Sequence, residues 1–596
     1  VVIQSALLRD NVRARGRAGA KPDVEASPRR RRPRFNALTA FWLLIVAILV
    51  LPIALFLAVA FSPALLSQGP QWFTLSAFSA ALSGHLLLGF VNSLVIGIVT
   101  AVSAAIIGFV LAWIVIRTDA PARGIWTGVV FALFLTPSYL IALGWERLLE
   151  PNGVLQTLGW DPAGARDLFY GPGGIVIVLT VKGIPFAYLA ISNALRGLGH
   201  EYEDAVRVHG GGALASMRVV VSLLAPAIWA ALAIVFAESV SDFGVASTLA
   251  NDSHFTVATF ELYTAVQAFP VQFPVASAIS WVLLIFVVLA LWAQSRALKG
   301  RSYRVLGGRS RRAVRRRLSK VEKAAVVLGM SLLILIALGV PTFGAVSASL
   351  IDGLGSVGGS HSWTLANYAR VITSPDLSAP LLYSMQAAVI AASVTTVLAV
   401  VCARLLAAGQ TSLSSRVLDM VLLAAVALPG IVFAAGYIFA YNLPLTNALG
   451  VHLYGTTVLL VLAYIATALP STSRLLVGSM SQIQNSMLHS SRVHGAGAIF
   501  SWFSIVLPVI SRPLLNAWLL TFTATLLELP VSQLLAPPGE QPISVGITVT
   551  LSKYDFGGGT AMEVLAILTA LLVVLAATLI FRLATPRGWR TLGTAK

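Results

Sequence analysis

Arg207-Val208-His209-Gly210-Gly211-Gly212-Ala213-Leu214 returns 285 residues later as Arg492-Val493-His494-Gly495-Ala496-Gly497-Ala498-Ile499, identical at six of eight positions. Pro185 and Pro470 precede the two copies at the same spacing, and prolines follow them, Pro226 in one and Pro508 with Pro513 in the other. The chain of 596 residues therefore reads as two similar halves. The surrounding residues say what each half is. From Phe35 to Ile116 there is no Lys, Arg, Asp or Glu, and equally uncharged stretches run over Leu262–Ser295, Met420–Ser473 and Val564–Phe581. About 20 apolar residues carry a helix across the hydrocarbon of a bilayer. Only 11% of residues are charged and 57% are hydrophobic, with a mean hydropathy of +0.85. A soluble domain carries about a quarter charged residues, so a conventional soluble enzyme is excluded. The expected fold is all-α and polytopic.

Apolar runs mark twelve spans, at about 40–61, 92–116, 125–144, 174–195, 226–246 and 273–295, then 324–346, 382–403, 418–440, 455–473, 513–535 and 563–581. The repeated segment follows the fourth span of each half. Both halves then begin and end on one side, as parallel repeats do. The organisation expected is a tail at 1–34, a first six-span domain at 35–298, a linker at 299–323 and a second domain at 324–596.

The net charge of +18 would suit nucleic acid, but its distribution argues against that partner. Arginines cluster at 29–34, before the first span, and between Arg309 and Lys323, in the linker. Basic runs flanking spans are held on the cytoplasmic side. With both termini cytoplasmic, 36 of the 41 Lys and Arg fall on that side. The expectation is a multi-pass protein of the plasma membrane. The apolar stretch after Arg34 is too long for a cleaved signal core, and residues 1–34 read as a disordered tail. A single cysteine, Cys402, rules out an intrachain disulfide and a multi-cysteine metal site. No metal site and no catalytic constellation is expected. No Gly-x-x-x-x-Gly-Lys-Ser/Thr segment is present, and the glycines at 171–174 and 557–559 read as turns, so the chain is not expected to cradle nucleotide phosphates.

The repeated segment reads as a short amphipathic helix, a glycine break and a second helix, a shape that fits a groove on a soluble partner. Glu203-Asp204-Ala205-Val206-Arg207-Val208-His209-Gly210 resembles the EAA loop of type I permeases of binding-protein-dependent ABC importers. The Arg-Val-His-Gly form and the two fused halves resemble the ferric-iron permeases and their thiamine and phosphonate relatives. Leu428-Pro429-Gly430-Ile431-Val432 with Gly436, and Ser241-Asp242-Phe243-Gly244-Val245, extend the likeness. The resemblance implies a translocation pathway between the halves and an extracytoplasmic substrate-binding protein. It also implies two ATP-binding subunits, a homodimer, that hold ATP and Mg, with no cofactor on this chain. Docking onto them would fall to Glu203, Asp204, Ala205, Arg207, His209 and Gly210 in the first loop, and Ser490, Arg492, His494 and Gly495 in the second. Ferric iron leads as cargo, with thiamine, aminoethylphosphonate and a polyamine open. The sequence departs from the family pattern where Leu488 and His489 replace the acids of the first loop, so the two docking surfaces are expected to be unequal. The rival class, a secondary transporter with two parallel halves, would need neither an ATPase nor a repeated loop.

Charge inside a span is costly and points to function by default. Lys182, Glu238, Asp242 and Glu528 fall within expected spans. One reading makes them the lining of a polar pathway. The other, slightly favoured by matching depth, is an ion pair of Lys182 with Glu238 or Asp242.

Overall fold

The computed structural model describes residues 37–585 except 65–66, 200, 299–314, 356–361, 408–411, 449 and 484. The tail at 1–34 and most of the linker at 299–323 lie outside these residues. Contacts divide the chain into residues 1–45, described as the apolar helix Ala37–Ile45, and residues 46–596. Every regular element described is helical. The extended pairings among the described residues are two isolated bridges, Thr118 with Arg316 and Ile351 with Trp363.

Among the described residues, ten helices are long and apolar enough to cross a membrane. Two further pairs, Arg123–Leu135 with Ser138–Thr157 and Leu413–Val426 with Gly430–Tyr441, bend by 96° and 106° at short breaks, giving up to twelve spans. The fold is thus an all-α polytopic membrane protein, with a correction at the third span of each half. Residues 125–144 and 418–440 read as continuous spans in the sequence. Pro137 and Pro429 break them, because proline lacks an amide donor and forces the residue before it out of the helical region. Each proline sits as the cap of the helix that follows. The fifth spans are corrected too. They run from Leu214 to Ser241 and from Ile499 to Leu526, starting a dozen or so residues before the positions expected. Their prolines lie inside the helix, and a π-helical turn at Trp502–Val506 precedes Pro508 in the second. Such a turn absorbs a disrupted hydrogen-bond ladder without ending the helix.

Small residues set the packing within each half. On Gly84–Arg117 the buried face carries Gly89, Gly97, Ala101, Ala104 and Gly108, while Val91, Val95, Ile98, Val102 and Ile106 are exposed. A Cβ on Gly108 would lie 2.9 Å from the backbone nitrogen of Tyr188, so the backbones of the second and fourth spans approach closely. The corresponding helix Pro375–Ala407 buries Ala388, Ala391, Ala392, Thr395 and Ala399. Without water, association of spans depends on such close contact.

The halves are joined reciprocally. Helix Ser138–Leu149 of the first half packs on Val340–Leu350 of the second, where a Cβ on Gly144 would lie 2.7 Å from the carbonyl carbon of Pro341. Helix Gly430–Tyr441 of the second half packs on Leu51–Val59 of the first, with Gly436 facing the carbonyl of Pro52. In the second contact Tyr437 also donates its hydroxyl to the Ile48 carbonyl at 2.8 Å.

Candidate functional site

The two breaks in the third spans face the ends of the fifth spans. In the first half Lys182 projects from Pro172–Gly197 and donates to the carbonyls of Phe134 and Thr136, at 3.0 and 2.9 Å. It satisfies the C-terminal carbonyls that the break leaves open. No carboxylate lies within 4.0 Å of its ammonium among the described residues, so the expected ion pair with Glu238 or Asp242 does not form. A single cation serving two orphan carbonyls gives the same depth match that suggested a pair. Asp242 accepts from the Val245 amide at 2.8 Å, closing the turn after the fifth span. Glu528 plays the equivalent part in the second half, accepting from the amides of Val531 and Ser532 at 2.8 and 3.0 Å. Glu238 is exposed on the surface of the fifth span. Lys182, Asp242 and Glu528 therefore hold the bent segments in shape.

The space around these carboxylates differs between halves. Beside Glu528 lies a cavity of about 180 Å³ lined by the hydroxyls of Thr467, Ser471, Thr472, Thr521 and Thr525 with Tyr464. At the repeat spacing, Thr467 answers to Lys182 and Ser471 to Phe186. The first half thus places a lysine and a phenylalanine where the second has a threonine and a serine beside its cavity.

A buried charge cluster between the halves escaped the sequence reading. Arg147 binds Glu150 at 2.9 Å and lies 3.8 Å from Glu146; Arg147 and Glu146 are on the first half's helix Ser138–Leu149 and Glu150 caps its end. Its guanidinium stacks 4.5 Å above the ring of Phe556, at the start of the second half's last helix. Glu563 on that helix is 2% exposed, and one of its oxygens, like both oxygens of Glu146, has no hydrogen-bond partner among the described residues. Three buried carboxylates thus surround a single arginine. The available signal was charge inside bent and last spans, but only the fold shows that these two helices meet.

The repeated loops fold alike. Helices Glu201–Val208 and Asn485–Val493 each end at a glycine with positive φ, +77° at Gly210 and +79° at Gly495. L-residues with a Cβ rarely adopt this conformation, and helix ends use glycine for it. The amides of Gly210 and Gly495 each reach the carbonyl three residues back at 2.9 Å. The Nδ1 atoms of His209 and His494 lie 2.7 and 2.8 Å from the carbonyls of Ala205 and Ser490. Both turns expose apolar side chains, Val208 and Val493 at 84%, and Leu214 and Ile499 at 76% and 77%. Arg207 and Arg492 are also exposed, as is Asp204, which lies 3.8 Å from Arg207. Glu203 is placed otherwise: it is buried and pairs with Arg117 at 3.6 Å, beneath the helix. The acid that distinguishes the first loop is thus turned into the protein.

Residues 97–296 match the family described as binding-protein-dependent transport system inner membrane component. The ferric transport system permease protein FbpB of Actinobacillus pleuropneumoniae is 22% identical over 503 residues, covering 83% of this chain and 71% of that protein. A putative ferric transport system permease protein of Haemophilus influenzae is 24% identical over 72% of this chain and 66% of its own length. The sulfate transport system permease protein CysT of Escherichia coli is 28% identical over 285 residues, 47% of this chain and 98% of that protein. With its membrane-spanning helices, its duplicated loop and this match, the chain carries over residues 97–296 a segment of the binding-protein-dependent inner membrane component family and is similar to ferric and sulfate transport permeases over much of its length.

Proposed function

We propose that the chain forms the translocation pathway of an ABC importer of ferric iron and couples it to two separate ATP-binding subunits through helices Glu201–Val208 and Asn485–Val493. The observation that carries the coupling is the matched pair of glycine turns, at Gly210 and Gly495, each projecting apolar side chains into open space. An exposed apolar patch at a repeated position marks an interaction surface. ATP and Mg reside on the partner subunits in this reading, and a substrate-binding protein delivers cargo to the opposite face. The loops then lie in the cytoplasm, in keeping with the placement of most Lys and Arg.

Two observations support ferric iron as cargo. The relatives named as ferric permeases align over most of the chain, whereas the sulfate permease of Escherichia coli aligns over about half. The buried junction between the halves carries Glu146, Glu150 and Glu563 around one arginine. Buried carboxyl oxygens without partners can engage an entering hard cation, whereas a sulfate dianion would meet a single arginine already paired with Glu150. Uptake of radiolabelled ferric iron by cells expressing the chain with its partners tests the reading. ATP-dependent iron uptake is expected, and sulfate uptake without iron uptake would overturn the cargo assignment.

A further inference from the structure

On the face that carries the repeated loops, a cavity of about 1140 Å³ opens between the ends of the second and fourth spans and the start of the bent third span. It exceeds the ~300–1,000 Å³ typical of small-molecule sites. Arg123, Arg196 and Arg315 line it, from the third span, the fourth span and the segment preceding the second half. Among the described residues none of the three pairs with a carboxylate, and Arg123 makes a contact of 3.5 Å with the Thr118 carbonyl. Asp119 also lines the cavity, but its carboxylate is engaged by the Lys323 ammonium and the Leu318 amide, at 2.9 and 2.8 Å. Those contacts hold Asp119 below the ordinary carboxylate range, so it stays ionised and offset by Lys323. The remaining balance in the cavity is three positive charges. Ile116, half-buried at the end of the second span, gives the cavity an apolar edge.

Three unpaired guanidinium groups converging from separate segments suit a phosphate group, which accepts several charge-assisted hydrogen bonds at once. The apolar edge at the span end suits a ligand that continues into hydrocarbon. Basic pockets between spans on the cytoplasmic side hold the headgroups of anionic lipids. We propose that the cavity lined by Arg123, Arg196 and Arg315 binds a phosphate-bearing anion, supplied by the headgroup of an anionic phospholipid. The site ties the first half to the segment leading into the second, beside the first repeated loop. Only its sidedness is taken from the importer reading, and lipid binding needs neither ATPase nor cargo.

The test is native mass spectrometry of the full chain in detergent, titrated with phosphatidylglycerol, with and without excess inorganic phosphate. The expected result is bound phosphatidylglycerol that survives inorganic phosphate. The triple variant R123Q/R196Q/R315Q should bind it at least about tenfold more weakly. The variant R317Q/K320Q/R512Q removes equal charge outside the cavity and should bind as the parent does. Equal binding by the R123Q/R196Q/R315Q variant, or equal loss in the control, would overturn the site. Displacement of lipid by inorganic phosphate, with phosphate retained by the parent and lost from the triple variant, would overturn the lipid source and leave a soluble phosphate ligand. Should the triple variant fail to fold, R196Q alone alters an exposed side chain and is read by the same criteria.

Discussion

Glu203 and Arg117 pair at 3.6 Å beneath the first repeated loop, joining the loop helix to the end of the second span. Arg117 also donates to the Leu198 carbonyl at 3.0 Å, just before that helix begins. The second loop has Leu488 where the first has Glu203. The first loop helix is thus anchored by a buried ion pair, and the second carries a half-buried leucine at the same position.

Removing one partner of a buried pair strands the other charge and typically costs about 3–5 kcal/mol. Arg117→Met is therefore expected to lower thermal stability markedly in detergent. Combining it with Glu203→Leu, which copies the second half, should recover most of the loss. A double variant less stable than Arg117→Met alone would contradict the pair.

Lys182 supports the break at Thr136 and Pro137 through two carbonyls. Hydrogen bonds from a charged donor contribute about 1.5–3 kcal/mol each, so Lys182→Met should destabilise the protein by a few kcal/mol. Because no carboxylate partners this lysine, adding Glu238→Gln and Asp242→Asn should not restore stability. Restoration on thermal unfolding would show that the ion pair, not the break, is what Lys182 serves.

The reciprocal glycine contacts between the halves should differ in tolerance. Gly144→Val places atoms into the backbone of Pro341, whereas Gly436→Val meets the Pro52 carbonyl and Ile53 at about 3.2 Å. Overpacking costs about 1–3 kcal/mol where neighbours can shift. Gly436→Val should fall in that range and Gly144→Val above it, as read from thermal unfolding. The reverse order would contradict the packing described.

Glu563→Gln tests the acid cluster as part of the cation route. It removes one carboxylate that Arg147 does not bind directly, so folding and ATPase association should be preserved. Iron uptake should fall several-fold. Unchanged uptake would leave the cluster a structural feature alone.

The repeated loops were legible because duplication selects them from the rest of the chain, and the glycine break expected there falls at Gly210 and Gly495, which adopt the left-handed conformation. The third spans were not, because an apolar run interrupted by Pro137 or Pro429 has the composition of a single crossing. Lys182 misled for a related reason: its acceptors are backbone carbonyls, which no side-chain pattern reveals. Glu146, Arg147 and Glu563 could be seen as charges, but their meeting depends on which half packs against which. Asp242 and Glu528 were found at matching places, and their capping of the following turns emerged only with the bend in the chain.

The central claim is that the two glycine turns dock the ATPase. A Cβ at Gly210 or Gly495 would meet nothing within 4 Å, so a large side chain there strains the local turn but clashes with no other part of the chain. The left-handed conformation costs a residue with a Cβ roughly 1–2 kcal/mol, which a membrane-embedded bundle should tolerate. The decisive measurement is ATPase co-purification with the Gly210→Trp/Gly495→Trp variant, alongside its yield in the membrane. Normal yield with loss of the ATPase and of transport is the result expected. Normal yield with the ATPase retained at the parent's level would contradict docking through these loops.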